Sequence, residues 1–361
     1  MEKKLRIGLI GIGGMGSHHL FTSHAENPRV QIVALCDLIE ERCTNAIKRL
    51  GIDGISVYTD FREMIDKEDL DAVDIATPNN FHSIIAVYAM EHGLHVFCEK
   101  PDAVSVEEAQ KMKEASEKYG KILMVMRNNR YYENSQYLKK YIESGAAGEI
   151  YCGRCGWIRR RGIPGKGGWF TTKAQSGGGP LIDLGVHMID LSIWLMGNPK
   201  PVAVSGCTYS KFANDDAQSD SEHSKFGDAK EDGTFDVEDL AMGFIRFDNG
   251  ACLQIEFSWA SNIEGETRFV ELRGTKAGIT WCDNGDAKIY SEENGKLVNT
   301  VRSGGMGNGH DEALRHFTRI VLDGAAPDYV PEQGLNMIKI LEAIFKSAET
   351  GREVVLCCIR P

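Results

Sequence analysis

The sequence predicts an α/β protein of two domains. A doubly wound parallel sheet spans residues 1–126, and an α/β domain with a large, mainly antiparallel open sheet spans 127–361. Three observations carry this. The 361 residues exceed what a single core usually organises. Short apolar runs alternate with amphipathic stretches over the first third, the rhythm of strand–helix–strand units with right-handed crossovers. Beyond residue 126 the apolar pattern shifts to a two-residue period, which suits antiparallel strands with one buried face.

Taken in order, Leu5–Ile10, Gln31–Cys36, Ala72–Ala76, His95–Cys98 and Ile122–Met126 read as strands buried on both faces. Ile39–Leu50, Phe81–His92 and Ser105–Tyr119 read as the helices between them. The last has Ser105 placed as N-cap, Glu108 three residues on, and Gly120 just past its end. A further helix over Ser135–Ser144 stops at Gly145. Seven glycines follow between Gly162 and Gly179, a density that suggests backbone shaped around something. Leu184–Leu195 reads as a helix ended by Gly197 and Pro199. Asp248-Asn249-Gly250 joins the alternating runs Ala241–Phe247 and Cys252–Trp259 as a hairpin, and Phe269–Arg273 adds a strand. Lys211–Asp236 carries eight acids against three lysines without periodicity and reads as a loop or surface arm. A helix over Leu335–Thr350, stopped by Gly351, and a strand Val354–Leu356 close the chain.

Composition narrows the function. Apolar residues are 42% and charged residues 26%, the balance of a globular chain. Asp plus Glu outnumber Lys plus Arg by 52 to 41, and the net charge of −11 speaks against nucleic acid or an anionic membrane as partner. No apolar stretch approaches the length of a membrane span. Met1 to Leu5 run into an apolar segment containing Arg6 with no cleavage pattern, so a cytoplasmic location is expected. The ten scattered cysteines suit a reducing compartment. Cys152 and Cys155 form a C-x-x-C, but no second pair follows at zinc-site spacing, and no metal is expected.

Gly11-Ile12-Gly13-Gly14-Met15-Gly16 matches G-x-G-x-x-G where that motif requires it, after a strand and opening a helix. Gly11 permits the tight turn, Gly13 admits a pyrophosphate against the backbone, and Gly16 lets helix and strand pack closely. Asp37 ends the second strand 21 residues past Gly16, where an acid accepts from an adenosine ribose and repels a 2′-phosphate. The expected cofactor is NAD rather than NADP. Thr77-Pro78-Asn79-Asn80-Phe81-His82 and Cys98-Glu99-Lys100-Pro101 follow two further strands, at the carboxyl ends where open α/β sheets bind ligands. Thr77, Pro78, Asn79, Asn80, His82, Glu99 and Lys100 thus join Gly11, Ile12, Gly13, Gly14, Met15 and Asp37 as candidate cofactor contacts.

With these motifs, and with Gly178-Gly179-Pro180-Leu181-Ile182-Asp183-Leu184-Gly185-Val186-His187-Met188-Ile189-Asp190, nearly the whole chain resembles the Gfo/Idh/MocA oxidoreductase family. The resemblance implies a Rossmann domain followed by an α/β domain whose open sheet face often mediates oligomers, here a dimer or tetramer. It also implies Lys100, Asp183 and His187 as the catalytic set. Chemistry agrees: on a helix, Asp183 and His187 stand i and i+4 on one face. An imidazole suits removal of a hydroxyl proton near neutrality, and an ammonium favours the developing alkoxide. Trp157 to Gly165, with Trp169-Phe170-Thr171, resembles a branch of the family directed at sugars and glycosides. Aromatic faces stack on pyranose rings and Arg donors suit ring hydroxyls or a carboxylate. Arg127, Asn128, Arg160, Trp169 and His310 (with His316 as a neighbour of the Gly304–Gly309 cluster) are therefore candidate substrate contacts beside Lys100, Asp183 and His187. The implied activity is NAD-dependent oxidation of a secondary hydroxyl of a sugar, a glycoside at C3, or a cyclitol. An inositol dehydrogenase, a glycoside-cleaving enzyme with transient oxidation, and a non-catalytic NAD-binding regulator stand as alternatives.

Overall fold

The computed structural model describes residues 3–213, 227, 229–305 and 307–356. The chain forms two compact units, Met1–Met126 with His310–Leu335, and Arg127–Gly309 with Asn336–Pro361. The segment 310–335 therefore returns to the first unit.

In the first unit, β1 (Leu5–Ile10), β2 (Val30–Cys36), β3 (Ser56–Tyr58), β4 (Ala72–Ile75), β5 (His95–Cys98) and β6 (Leu123–Val125) form one sheet in the order β3-β2-β1-β4-β5-β6. Every pairing is parallel. The order reverses between β1 and β4, so the chain ends of these strands open a ligand crevice. Strand β4 is buried throughout because helices cover both sheet faces. Helices α1 (Gly14–His19), α2 (Glu40–Leu50), α3 (Phe61–Lys67), α4 (His82–Glu91) and α5 (Val106–Tyr119) make the crossovers. In α5 Ser105 accepts from the Glu108 amide and Gly120 ends the helix at φ +62°. The edge strand β3, only three half-buried residues, had no apolar run to announce it.

The second unit places α6 (Glu133–Glu143), α7 (Lys173–Ser176) and α8 (Val186–Leu195) with a nine-stranded sheet. Its strands are β7 (Ile150–Ile158), β8 (Pro201–Tyr209), β9 (Leu240–Phe247), β10 (Cys252–Ser258), β11 (Thr267–Gly274), β12 (Ala277–Cys282), β13 (Ala287–Glu293), β14 (Lys296–Arg302) and β15 (Val354–Val355). Their order is β14-β13-β12-β11-β7-β10-β9-β8-β15. Strands β7 and β10 run parallel, and the other pairs run antiparallel. Helix α9 (Gly309–Asp323) precedes α10 (Pro331–Thr350), within which the division between units falls. Among the described residues no helix is long and apolar enough to cross a membrane.

One expectation needs correction. Residues 184–195 are not one α-helix: a π-helical turn over Leu181–Gly185 leads into α8. In the acidic stretch 211–236, expected as a loop or surface arm, the described residues form no helix or strand. Its residues 214–226 and 228 lie outside the described residues, but its ends are held. The Asp239 carboxylate accepts from the Lys211 and Phe212 amides, both at 2.5 Å. Lys230 donates from its amide to the Lys166 carbonyl, and Thr171 donates through Oγ1 to the Thr234 carbonyl. Cys152 and Cys155 sit three apart on β7 and so project to opposite faces, which removes them as a chelating or redox pair. Burial pushes the Cys155 thiol up to about 12.

Candidate active site

The turn after β1 is shaped by contacts that exclude side chains. Gly11 has φ +91°, and a Cβ there would lie 2.5 Å from the Ala76 carbonyl oxygen. A Cβ at Gly16 would fall 1.8 Å from the Gly11 oxygen, so α1 packs directly on the turn. Asp37 is buried at the end of β2 and works on the same turn. Its Oδ2 accepts from the Ile12 amide at 2.7 Å and its Oδ1 from the Ile39 amide at 2.9 Å. Arg42 Nη1 stands 3.5 Å from Oδ1. Asp37 thus braces the glycine turn, while carboxylate lone pairs remain for a ribose.

After β4, Pro78 opens a short 3₁₀ turn over Asn79–Phe81 that runs into α4. Thr77 Oγ1 and Asn80 Oδ1 are buried there without a hydrogen-bond partner among the described residues. His82, expected to touch the cofactor, instead lies between two main-chain oxygens. Its Nδ1 is 2.8 Å from the Pro101 carbonyl and its Nε2 3.0 Å from that of Thr77. These two contacts set His82 between the Thr77 loop and the Lys100 loop. Lys100 and Pro101 are joined by a cis peptide, and the Lys100 amide donates to Glu99 Oε2 at 3.0 Å.

Beneath this loop lies a charged cluster that the sequence reading missed. His19 is fully buried, with Nδ1 3.0 Å from Asp74 Oδ2 and Nε2 3.0 Å from Glu99 Oε1. His24 Nε2 meets Asp74 Oδ2 at 2.8 Å. Residues 20–24 form a π-helical turn, in which the Ala25 amide reaches back five residues to the Leu20 carbonyl. That winding brings His19 and His24, five apart, onto one carboxylate. Burial by itself would lower the His19 pKa, but Asp74 and Glu99 outweigh it and raise it to about 10. Burial would raise both acids, yet His19 holds Glu99 down at about 2 and Asp74 well below its ordinary range.

In the second unit, Asp183 lies in the π-turn and His187 in the first turn of α8. Between Leu181 and Ser192 they are the two positions not buried. Trp259 donates from Nε1 to Asp183 Oδ2 at 3.1 Å, and the Trp157 ring centre lies 6.1 Å from that of His187. Arg159 is 6% exposed, donates to the Gly162 carbonyl, and sits 5.0 Å over the Trp157 ring. Burial lowers the Arg159 pKa, with Asp183 opposing as the leading nearby negative charge. Glu238 holds the turn from below: its Oε2 accepts from the Gly179 amide at 3.0 Å and its Oε1 from the Leu181 amide at 3.1 Å. Burial pushes this carboxyl up to about 7 against those two bonds and the Lys173 charge.

Residues 5–127 match the model of the "oxidoreductase family, NAD-binding Rossmann fold", and residues 135–280 match the "GFO/IDH/MocA C-terminal domain". The chain is 32% identical over 354 residues to D-glucoside 3-dehydrogenase of Escherichia coli (strain K12), covering 98% of this chain and 97% of that one. The chain belongs to the Gfo/Idh/MocA oxidoreductase family. Another relative, levoglucosan dehydrogenase of Pseudarthrobacter phenanthrenivorans, is 31% identical over 98% of this chain and 91% of its own. A solved levoglucosan dehydrogenase in complex with NADH and levoglucosan superposes with a TM-score of 0.84 at 25% identity, covering 98% of this chain and all of that one.

As a family member the protein binds NAD, and its own residues fit that cofactor. Around Gly13 and Gly14 nothing lies within 4 Å of where a Cβ would stand, which leaves the turn open to a pyrophosphate. The orphaned Thr77 Oγ1 and Asn80 Oδ1 await polar partners beside it.

Several expected substrate contacts of this Gfo/Idh/MocA protein have other employment. Arg127 Nε meets Asp190 Oδ1 at 2.9 Å, and Arg130 meets the same carboxylate at 2.6 and 2.8 Å, so Arg127 anchors α8. Asn128 is buried and donates to the Tyr132 hydroxyl, while its Oδ1 has no hydrogen-bond partner among the described residues. Arg160 is exposed and donates to the Glu264 carbonyl; its neighbour Arg159 is the arginine near Asp183. A one-residue shift on a strand changes the face, and the sequence pattern did not settle which arginine turned inward. Trp169 stacks on Phe170 at 3.8 Å, and Trp157 is the tryptophan beside His187. His310 belongs to the first unit, 5.4 Å from the His18 ring, and burial first, then His19 and His18, lower its pKa to about 4. His316 has Nε2 3.0 Å from the Ala326 carbonyl.

Proposed function

We propose that this oxidoreductase oxidises a secondary hydroxyl of a sugar or glycoside, with C3 of a glycoside as the preferred position. The observation that carries this reading is the polar window on an otherwise buried helix. Asp183 and His187 emerge there next to Trp157, Trp259 and Arg159. An aromatic wall with a buried guanidinium suits a pyranose ring, which stacks its face and donates or accepts through its hydroxyls. The two relatives named above, a D-glucoside 3-dehydrogenase and a levoglucosan dehydrogenase, support a carbohydrate over a cyclitol.

His187 is the proposed general base, and Asp183 orients it and offsets its charge when protonated. Lys100 is the proposed donor to the oxygen as it becomes an alkoxide, with Glu99 fixing the Lys100 main chain. NAD, when bound, accepts the hydride. Gly11, Ile12, Gly13, Gly14, Met15, Asp37, Thr77, Pro78, Asn79, Asn80 and Glu99 shape its site, and His82 supports it indirectly. The first unit thus serves the dinucleotide. The second serves the substrate and, through the open face of its nine-stranded sheet, a homo-oligomer. The free thiols suit a cytoplasmic setting.

A panel of sugars, glycosides and inositols incubated with NAD tests the substrate class. NADH should accumulate with a glycoside. Accumulation with inositols alone would move the assignment to a cyclitol dehydrogenase, and glycoside cleavage without net NADH would move it to transient oxidation. In His187→Ala, kcat should fall by about 10²–10⁴-fold while NAD still binds. Near-native turnover of that variant would remove the base assignment.

A further inference from the structure

The histidine–carboxylate cluster of the first unit is buried and charged, and the mechanism above uses Glu99 alone of its members. Its geometry says what it does. Both ring nitrogens of His19 face carboxylate oxygens at 3.0 Å, and a neutral imidazole carries only one N–H. The Asp74 contact is a hydrogen bond, and Nε2 approaches Glu99 Oε1 to 3.0 Å as an ion pair. The Phe97 ring, 6.0 Å away edge-on, keeps the surroundings apolar and the charges strongly coupled. Glu99 is the last member of the chain, and its second oxygen holds the amide of Lys100.

We propose that His19 is a positioning residue for Lys100: anchored by Asp74 and His24's shared carboxylate, its cationic ring holds Glu99 in the rotamer that grips the Lys100 main chain. The π-turn is what makes this possible, because it aims His19 and His24 at Asp74 together. The charged and titratable groups facing the cluster include Asp74, Glu99, His24, His18, His310, Lys100, His82 on the Glu99 side and, toward His18, Asp311. His18 and His310 both have lowered pKa values, burial being the first cause and His19 among the others. His19 therefore carries the cationic role against Glu99 from within the protein, and the neighbouring histidines do not substitute for it.

The proposal rests on Lys100 acting at the substrate oxygen, and the test separates the two. In His19→Gln, kcat should fall about 10- to 100-fold, the rate equivalent of one lost charge-assisted contact. KM for the sugar substrate should hold, because none of the residues proposed to contact it in the second unit is altered. In a Lys100→Met background, His19→Gln should leave the residual rate unchanged, since its effect passes through Lys100. A purely structural histidine would lower both rates. Asp74→Asn, which removes the charge at Nδ1 with little change in shape, carries the same expectations if His19→Gln does not fold. Native kcat in either folded variant, or an equal loss with and without Lys100, would overturn the proposal. Native kcat in Lys100→Met would instead overturn the catalytic reading on which it rests.

Discussion

Asp74 and Glu99 in the first unit and Glu238 in the second are carboxylates withdrawn from water to a similar degree, yet their acidities move in opposite directions. Burial pushes all three toward the neutral acid. In the first unit a histidine cation sits 3.0 Å from each acid and reverses the push. In the second, Glu238 meets backbone amides, among them those of Gly179 and Leu181, and the charge of Lys173, and burial prevails. Amide dipoles soften a buried charge; a counter-ion in contact cancels it. The two regions also use their carboxylates differently. The first fixes a network that stays ionised across the working pH range, and the second places a group near its midpoint under the turn that carries Asp183.

The contrast is broken most forcefully at Asp74. Asp74→Ala leaves His19 and His24 without their shared partner and should cost about 3–5 kcal/mol in urea unfolding at pH 7, as removal of one buried partner usually does. Glu238→Gln should be far milder at that pH, because the amide oxygen still accepts one backbone N–H while the cost of ionisation disappears. A Glu238→Gln loss as large as that of Asp74→Ala would mean that the turn depends on the charge itself.

Stability against pH sharpens the comparison further. Glu238 has a folded pKa of about 7 against an ordinary 4.5, so its contribution is complete below about 4.5 and is lost as pH rises through about 7. The difference amounts to on the order of 3 kcal/mol, and Glu238→Gln should flatten that limb. The cluster has the opposite acid behaviour. Glu99, lowered from 4.5 to about 2, contributes fully above about 4.5, and that contribution is lost as pH falls toward 2. His19, raised from 6.5 to about 10, contributes fully below about 6.5, and that contribution fades toward 10. A Glu238→Gln profile that still declined between pH 4.5 and 7 would assign that limb elsewhere.

Asp37 accepts a backbone amide on each oxygen and has Arg42 at 3.5 Å. The native protein should prefer NAD over NADP. Asp37→Asn keeps an acceptor for the Ile12 amide and removes the charge, so the ratio of kcat/KM values should narrow by about tenfold. Asp37→Ala should narrow it too, with a weaker KM for NAD because the turn loses its brace. Equal kcat/KM for both cofactors in the native protein would take cofactor choice away from Asp37.

Much of this was legible in the chain because its signals are local. The strand–helix alternation, the Ser105 cap with Gly120, and the Asp248-Asn249-Gly250 hairpin each depend on residues adjacent in sequence. One local signal was overlooked: Asn294-Gly295, both at positive φ, turns β13 into β14. Strand β14 itself is nearly all exposed, with Leu297 and Val301 facing outward, so no alternation marked it. Helix α9 was hidden by the glycine cluster before it.

What the sequence by itself determined is the order of elements, the glycine turn with Asp37 after it, and the positions of Glu99, Lys100, Asp183 and His187. These follow from residue type and spacing, which the chain states directly. What only the tertiary structure decided is where side chains were directed. It turned Arg159 inward and Arg160 outward, gave Arg127 to Asp190, closed His82 between two carbonyls, and wound two π-turns. It also drew His19, His24, Asp74 and Glu99 from separate elements into one charged cluster. A π-turn differs from an α-turn by a single residue's winding, and a buried ion pair joins residues far apart in the chain. Neither leaves a period in the sequence, because each is stabilised by groups that only folding brings together.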